Sequence, residues 1–218
     1  MALVMYDLDG TLLDTAPEIT TAVNLTLQDF SHGSVTDNEV RRWIGHGTGF
    51  LMQQAWQATE RGSAHAWPDV MSCFIKHYES TVGTTSQPYP KVMETLAYLK
   101  SIGIKQAVVT NKESRFTQKI IDSHGLGQYM DLVISGDSLE FKKPHPGVVE
   151  HCLHELDMMK GQSLFVGDSE TDLATARAAG IVFWAVPYGY NHGRPIAMAE
   201  PDRIIEDISS ITSYFEGM

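Results

Sequence analysis

The sequence predicts an α/β protein in which a doubly wound parallel sheet carries an inserted all-helical domain, and two observations support this prediction. Short apolar runs, many of them β-branched and without clean alternation, recur along the chain, as in strands that are buried on both faces. Segments with helical spacing separate these runs, except that residues 16–85 hold several helical patterns and no defensible strand. The strand, helix, strand order implies right-handed crossovers and hence a Rossmann-like core.

Five apolar runs mark the strands of the predicted core: residues 2–6, 104–110, 131–135, 163–167 and 181–186. Spacing, start and stop signals indicate helices between them. These signals are Val92, Leu96 and Leu99 at i, i+4 and i+7, the starts at Ser114 and after Pro146, and the stop at Gly180.

The insert is predicted to contain four helices. Their starts are marked by Pro17, by the capping-box pair Thr36 and Glu39, by Thr48 as a cap, and by Pro68. Its aromatic residues are expected to form its own core: Trp56, Trp67, Phe74 and Tyr78. The turn-rich residues 84–90 suit a linker. We therefore predict a core domain of residues 1–15 and 86–218 and a helical domain of residues 16–85.

Composition excludes several classes of function. The 218 residues are 43% hydrophobic and 20% charged, as in ordinary globular chains, and the net charge of −11 argues against binding to nucleic acid or an anionic membrane. No run of apolar residues is long enough to span a membrane, and we expect no targeting segment. Cys73 and Cys152 belong to no metal-ligand spacing, which fits a reducing compartment, so the cytoplasm is expected. The sequence leaves monomer and homodimer open.

Chemistry-bearing side chains follow four of the predicted strands. Ligands of an open α/β sheet bind beyond the carboxyl ends of its strands, so these residues should meet at one rim. Four carboxylates there, Asp7, Asp9, Asp168 and Asp172, would repel one another unless a cation lay among them. Hard oxygen ligands indicate Mg²⁺, which keeps positions for water and a phosphate. A phosphorylated substrate is therefore predicted as well.

Donors for such a phosphate lie beside the carboxylates. The backbone N–H groups of Gly10 and Thr11 are candidates, and the Thr110 hydroxyl and the Lys143 ammonium add a donor and a compensating charge. Taken alone, Asp168 and Asp172 could equally cap the helix that follows them.

Four segments carry a family resemblance. DLDGT (7–11), VVTN (108–111), KPHP (143–146) and GDSETD (167–172) resemble, in that order, the four signature motifs of the haloacid dehalogenase superfamily of phosphotransferases. The helical insert resembles the C1-type cap of that superfamily. WIGHGTGFLM (43–52) and VPYGYNHG (186–193) are similar to its phosphoglycolate phosphatase branch, although these two stretches are less specific.

The resemblance implies a role for each motif residue. Asp7 would be the nucleophile that becomes an aspartyl phosphate, and Asp9 would be the proton donor and acceptor. Thr110 and Lys143, with the neighbouring Asn111, would hold the phosphoryl oxygens. The KPxP placement favours Lys143 over Lys142. The Mg²⁺ ligands would be Asp7, the Asp9 carbonyl, Asp168 and, through water or Lys143, Asp172. A threonine after the DLDG turn and a second aspartate favour a phosphatase over a dehalogenase.

Other polar residues have two interpretations. Arg41 and Arg42 form an exposed helix face and His46 a loop, or one or more of them meet a substrate carboxylate or hydroxyl when the cap covers the site, with Arg42 and His46 as the candidates. His151 and His154 are three residues apart without a third ligand, and we interpret them as a solvated helix face.

Three functions follow from this reading. The first is a Mg²⁺-dependent phosphatase of a small metabolite, with 2-phosphoglycolate as the leading candidate. The second is a sugar phosphatase or a phosphosugar mutase resembling β-phosphoglucomutase. The third is a receiver-like phospho-aspartate module, which Asp9 and the cap oppose, because an adjacent acid/base group would speed hydrolysis of the aspartyl phosphate.

Overall fold

A computed structural model describes residues 2–59 and 66–216. Within them, six strands form one parallel sheet and two form a short antiparallel pair. In chain order the strands are β1 Leu3–Tyr6, β2 Leu13–Asp14, β3 Gln87–Pro88, β4 Lys105–Val109, β5 Leu132–Ile134, β6 Ser163–Gly167, β7 Val182–Ala185 and β8 Arg203–Ile204.

The large sheet has the order β5-β4-β1-β6-β7-β8, with every pair parallel. The chain therefore winds outward in both directions from β1, and β1 lies at the point where the winding reverses. The predicted fold class and its five strands are confirmed. The prediction missed β8, because two exposed residues at the edge of the sheet give no apolar run.

Burial on both faces explains why β1 lacks alternation. Val4 and Tyr6 belong to the apolar cluster on one side of the sheet, while Leu3 and Met5 belong to the cluster on the other side. Helices cover both faces, as parallel sheets require. Because every residue of β1 is buried, the strand has a fixed position in the sheet. The residues that follow it therefore begin at a fixed point on the carboxyl edge of the sheet.

The helices are α1 Ala16–Asp29, α2 Asp37–Trp43, α3 Thr48–Ala58, α4 Trp67–Thr81, α5 Val92–Ser101, α6 Ser114–Ser123, α7 Gly147–Glu155, α8 Glu170–Ala179 and α9 Ser210–Glu216. The first four form the insert, in which α1 packs along α4. The described helices include none with the length and apolar character of a membrane span.

The predicted helix starts are confirmed in the insert, with one exception. Thr36 and Glu39 form the expected capping box, with the Thr36 N–H donating to Glu39 Oε2 at 2.8 Å. The prediction that Thr48 caps α3 was wrong, because Gly47 occupies that position. Thr48 is the first helical residue, and its hydroxyl instead donates to Glu113 Oε1 at 2.9 Å, which ties the insert to the core.

The aromatic set divides between interior and surface. Phe74 and Tyr78 are buried and Trp56 is half-buried, but Trp67 is 39% exposed, so its assignment to the core was wrong. Trp67 opens α4 and reaches only the edge of Trp56, with the ring centroids 6.4 Å apart.

The chain leaves and re-enters the core at one place. Leu13 pairs with Pro88 and Asp14 with Gln87 in the antiparallel β2-β3 pair, and the Tyr89 N–H donates to the Leu12 carbonyl at 3.1 Å. We propose that this pair forms the linker between the two domains, whose predicted limits, residues 15 and 86, lie beside it.

Candidate active site

Asp7 follows β1 at the reversal of winding. Its N–H continues the strand ladder by donating to the Val166 carbonyl at 3.0 Å, so the backbone is fixed by the sheet. The Leu8 N–H donates to Asp7 Oδ1 at 2.7 Å, and the Lys143 ammonium lies 2.7 Å from the same oxygen. Burial, the largest effect, raises the pKa of Asp7 well above its usual value, although the charge of Lys143 opposes it.

Lys143 is shared between two carboxylates. Its ammonium also lies 2.7 Å from Asp172 Oδ1, and its side chain is only 3% exposed. Asp172 Oδ2 accepts hydrogen bonds from the Ser169 N–H and hydroxyl, and the Asp172 N–H donates to the Ser169 hydroxyl oxygen, which completes a capping box for α8. Asp172 therefore both caps the helix and orients the lysine. Lys142 and Lys143 both line the cavity next to this group, but among the described residues only Lys143 forms an ion pair with Asp7.

Asp168 is held by groups from two loops. The Thr11 hydroxyl donates to Oδ1 and the Tyr190 N–H donates to Oδ2, both at 2.7 Å. Gly10 has a φ of +85°, and a Cβ there would lie 2.6 Å from Asp168 Oδ2. Only glycine allows this carboxylate to approach the turn after β1.

The expected role of Gly10 and Thr11 as backbone donors to phosphate is not supported by these hydrogen bonds. The Gly10 N–H donates to the Leu13 carbonyl at 2.9 Å, and the Thr11 N–H donates to the Leu8 carbonyl at 3.4 Å. Both groups are used within the turn. The two residues instead shape the surroundings of Asp168, a role that the spacing of the motif does not reveal.

Three carboxylates converge beside a single ammonium. Asp7, Asp168 and Asp172 each offer an oxygen within 4.8 Å of the others, while Lys143 is the cation paired with this group. Burial first, and then the charge of Asp172, raises the pKa of Asp168 to about 7. Hard oxygen donors that repel one another fit a divalent cation of the Mg²⁺ type.

The Asp9 carboxylate lies outside this group. The Thr15 hydroxyl donates to its Oδ1 at 2.7 Å, and the Lys112 ammonium lies 2.9 Å from Oδ1 and 3.2 Å from Oδ2. The opening pair of aspartates is therefore separated: each carboxylate has its own buried lysine. This arrangement leaves the backbone carbonyl of Asp9 as its predicted metal ligand.

A cavity of about 340 Å³ lies between the carboxyl end of the sheet and the insert. This volume suits a small organic phosphate. The core contributes Asp7, Asp9 and Thr110 to its walls, and the insert contributes His46, Phe50 and Tyr78.

Thr110 and Asn111 follow β4 and line this cavity. The Thr110 hydroxyl accepts the Lys112 N–H at 3.2 Å, which fixes its orientation. The Asn111 amide donates to the carbonyls of Lys143, at 3.1 Å, and Gly45, at 3.3 Å, so it connects two motif loops and the insert. Its Oδ1 is buried and has no hydrogen-bond partner among the described residues.

The two arginines of α2 lie away from the cavity. Arg41 pairs with Asp14 at 2.8 Å and with Asp37 at 2.5 Å. Arg42 is exposed, and its carbonyl accepts a hydrogen bond from the His192 ring at 3.1 Å. The predicted contact between Arg42 and the substrate is thus not supported, because the side chain is absent from the cavity walls.

His46 does line the cavity. Its ring stacks on that of His192, with the centroids 4.3 Å apart, so a cap loop rests on a core loop. Burial, followed by the charges of His192 and Lys142, lowers the pKa of His46 below its usual value. A neutral His46 can accept or donate a hydrogen bond at the cap side of the site.

Sequence reasoning gave Lys112, Tyr78 and Tyr190 no role at the site, although it assigned Tyr78 to the core of the insert. Lys112 comes directly after the VVTN segment, so its position at the rim was visible, but its partner was not. The Tyr190 hydroxyl accepts the Thr15 and Ala16 N–H groups at 2.8 and 3.0 Å, and it anchors the start of α1. Such contacts over long sequence separations have no local signal.

A second group of possible metal ligands lies in the insert. Cys73 and His77 on α4 both contact Asp29 Oδ2, at 3.2 and 2.8 Å, so the statement that Cys73 has no ligand spacing overlooked its i, i+4 histidine. These hydrogen bonds satisfy the three side chains, and we assign the group no role. His151 and His154 belong to no metal-ligand group among the described residues.

Comparisons with known proteins place the chain in a family. Residues 4–186 match the family model described as haloacid dehalogenase-like hydrolase. The protein belongs to this family. It is 36% identical over 213 residues to a phosphoglycolate phosphatase of Pseudomonas syringae pv. tomato, covering 94% of this chain and 76% of the relative. A phosphoglycolate phosphatase of Vibrio cholerae is 35% identical over 213 residues, covering 96% and 94%.

A solved structure gives the same result for this haloacid dehalogenase-like hydrolase. A crystal structure from Haemophilus somnus, described as a predicted phosphoglycolate phosphatase, superposes with a TM-score of 0.93 at 32% identity. It covers 99% of this chain and 98% of its own. The resemblance inferred from the four motifs is confirmed, and the chain is a phosphatase-type hydrolase.

Proposed function

We propose that this hydrolase is a Mg²⁺-dependent phosphatase that cleaves 2-phosphoglycolate into glycolate and inorganic phosphate. One observation supports the proposal most strongly: two carboxylates, Asp7 and Asp9, reach one small cavity, each beside its own buried lysine. The relatives that are named phosphoglycolate phosphatases support the substrate.

In the first step, an Asp7 oxygen attacks phosphorus while the bond between phosphorus and the leaving oxygen breaks. Asp9, in its protonated form, donates its proton to the leaving oxygen of glycolate, which departs as an alcohol. An aspartyl phosphate remains on Asp7. Lys143, 2.7 Å from Asp7 Oδ1, and the Thr110 hydroxyl stabilise the phosphoryl oxygens as their charge develops.

In the second step, water attacks the phosphorus of the aspartyl phosphate. Asp9, now a carboxylate, accepts a proton from that water, and the bond between phosphorus and Asp7 breaks. Phosphate leaves, and both aspartates return to their starting forms. One carboxylate is thus the acid of the first step and the base of the second.

Asp7, Asp168 and the Asp9 carbonyl would hold Mg²⁺, with Asp172 acting through Lys143. When bound, the ion neutralises the carboxylates and the phosphoryl oxygens as charge moves between them. Asp172 has both oxygens engaged by Lys143 and Ser169, so we propose that it positions the lysine instead of binding the ion directly.

The carboxylate of 2-phosphoglycolate requires a partner at the cap side of the cavity. His46 of the insert and Lys142 of the core line the cavity near each other, and we propose them as this partner in place of Arg42. The cavity also limits substrate size, so nucleic acids and phosphoproteins should be poor substrates. We further propose a cytoplasmic location, in keeping with two free thiols, and either a monomer or a homodimer.

The test is a comparison of kcat/KM across small phosphate esters, with phosphate release as the readout and Asp7→Asn as the control. We expect 2-phosphoglycolate to exceed sugar phosphates, activity to be lost in EDTA, and Mg²⁺ to restore it. A sugar phosphate favoured a hundredfold would overturn the substrate. A requirement for a sugar bisphosphate, with no net release of phosphate, would indicate a mutase.

A further inference from the structure

Lys112 is a buried cation that the motif roles leave unexplained. Its side chain is 4% exposed, and its ammonium contacts both oxygens of Asp9, at 2.9 and 3.2 Å. An ammonium removed from water is stable only when its donors are paired. Here the pairing partner is the carboxylate that we propose as the proton donor.

The ammonium also contacts the insert. It donates a hydrogen bond to the hydroxyl of Tyr78 on α4, and it lies 5.0 Å from the centre of that ring. The Tyr78 ring in turn packs on Phe116 of α6, with the centroids 4.4 Å apart, so the tyrosine is seated in the core as well as in the insert. Asp9, Lys112 and Tyr78 form a continuous chain of contacts from the catalytic rim to the fourth helix.

We propose that Lys112 is a positioning residue that couples the seating of the helical insert to the orientation of Asp9. The ammonium has three N–H donors on a flexible side chain, so a single contact does not fix its position. Two contacts, with Asp9 and with Tyr78, do fix it. When Tyr78 is seated, the lysine is held between the phenol and the carboxylate. When Tyr78 is withdrawn, the ammonium loses one of the two contacts that fix where it meets Asp9.

This coupling would prevent proton transfer from an open site. A general acid must lie within hydrogen-bond reach of the leaving oxygen, and small displacements lower its efficiency. Asp9 would therefore be correctly placed only when the insert covers the cavity. The inference rests on the proposed phosphatase function, and the experiment separates the two.

The experiment compares two esters that differ in their need for an acid. The alkyl leaving group of 2-phosphoglycolate requires a proton, whereas p-nitrophenolate departs with little help. Because kcat/KM covers only the steps up to departure of the leaving group, the later hydrolysis of the aspartyl phosphate does not enter it. The ratio of the two kcat/KM values thus reports on proton donation by Asp9.

We expect Tyr78→Phe to lower kcat/KM for 2-phosphoglycolate about tenfold and Lys112→Met to lower it about a hundredfold, with losses of less than about threefold for p-nitrophenyl phosphate. Tyr78→Phe should have no further effect in the Lys112→Met background, because the two act through one contact. Lys112→Arg, which retains a cation, should recover part of the ratio.

Tyr6→Phe is the matched control, because the Tyr6 phenol is also buried and donates to Gln106, away from the cavity. It should lose stability comparable to Tyr78→Phe and leave the ratio unchanged. Equal losses on both esters, or effects that multiply in the double variant, would overturn the coupling and leave Lys112 a structural residue.

The activity of the wild-type protein on the two esters tests the proposed function separately from the coupling. If it cleaves p-nitrophenyl phosphate but not 2-phosphoglycolate, the substrate is wrong, and the alkyl ester that it cleaves best replaces 2-phosphoglycolate in the ratio. If the wild type cleaves no ester at all, both the phosphatase function and the coupling that rests on it fail.

Discussion

The two aspartates of the opening motif lie in different kinds of surroundings. Asp7 is paired with Lys143, and both Asp7 and the second partner of that lysine, Asp172, come from the core. Asp9 is paired with Lys112, whose other partner, Tyr78, comes from the insert. Two carboxylates only two residues apart in sequence therefore depend on different parts of the molecule.

This difference indicates how a site can be both fixed and responsive. As the proposed nucleophile, Asp7 needs a constant position relative to the proposed metal ligands, and the sheet provides it through β1 and β6. As the proposed proton donor, Asp9 should act only when water is excluded, and its link to the insert through Lys112 makes that dependence possible.

Replacing Asp7 with Asn should abolish formation of the aspartyl phosphate, the step that we assign to the core side of the site. The amide cannot serve as the nucleophile, so we expect kcat to fall by at least about 10⁴-fold on both 2-phosphoglycolate and p-nitrophenyl phosphate. Phosphate release measures the loss, and circular dichroism should show an unchanged fold. A residual rate within tenfold of the wild type would exclude Asp7 as the nucleophile.

Replacing Lys143 with Met should sharpen the contrast with Lys112. The change leaves Asp7 and Asp172 buried without their shared cation, and we expect a loss of about 3–5 kcal/mol in the free energy of unfolding. It should lower kcat/KM by roughly 10²–10³-fold on both esters alike, because phosphoryl oxygens are common to both.

Denaturant titrations with EDTA and with Mg²⁺ provide the second measurement for Lys143→Met. The loss of stability should be smaller with Mg²⁺, since the bound cation shares the charge of the carboxylates. For Lys143→Met, a larger loss of kcat/KM on the alkyl ester than on the aryl ester would contradict the division of roles between the two lysines.

Replacing Glu18 with Gln should have the smallest effect and test how α1 of the insert is held to the residues that return to the core. Glu18 is fully buried on α1, and its Oε2 accepts the N–H groups of Gly83, at 2.8 Å, and Ser86, at 3.2 Å. Glutamine keeps an acceptor there, so we expect the stability at pH 7 to change by no more than about 1 kcal/mol. Glu18 does not line the cavity, although its charge acts on that of Lys112, so we expect kcat to change by no more than about threefold.

The difference in stability between the wild type and this variant should depend on pH, in a direction that is set by the pKa of Glu18. Burial raises the pKa of Glu18 above 4.5, so the folded protein binds this proton more tightly than the unfolded chain does. Wild-type stability should therefore fall, relative to the variant, as the pH rises from 4.5 through the folded pKa. Urea titrations at several pH values measure the difference, and the opposite slope would show that Glu18 is stabilised as a carboxylate.

Most of the core could be predicted from the sequence. Strands that are buried on both faces appear as apolar runs, which can be recognised without knowing the strands that they pair with. The elements that escaped are those without such a pattern. The pairs Leu13–Asp14 and Gln87–Pro88, and the exposed Arg203–Ile204 edge, each form two-residue strands whose hydrogen-bond partners alone define them. Short elements of this kind are set by tertiary contacts.

The residues of the site were predictable where they follow the carboxyl ends of parallel strands, and less so where the helical insert meets the sheet. The positions of Asp7, Thr110, Lys143 and Asp168 follow from the parallel sheet, although their catalytic roles stay predictions. The role of Lys112 could not be predicted from the sequence, because its partner Tyr78 lies 34 residues away and on another element. A charged residue near a motif does not reveal which distant side chain neutralises it.

The insert departs from the core and returns to it on one hydrogen-bonded two-strand ladder. Its two ends are therefore neighbours, and a different bundle of helices could be spliced in at Asp14 and Gln87 while the strand order of the sheet is preserved. Exchange of whole bundles at this ladder would alter which esters are admitted while the sheet still holds Asp7, the proposed nucleophile. A transplanted bundle would also have to supply the contact that Tyr78 makes with Lys112, so selectivity is transferable only together with that contact.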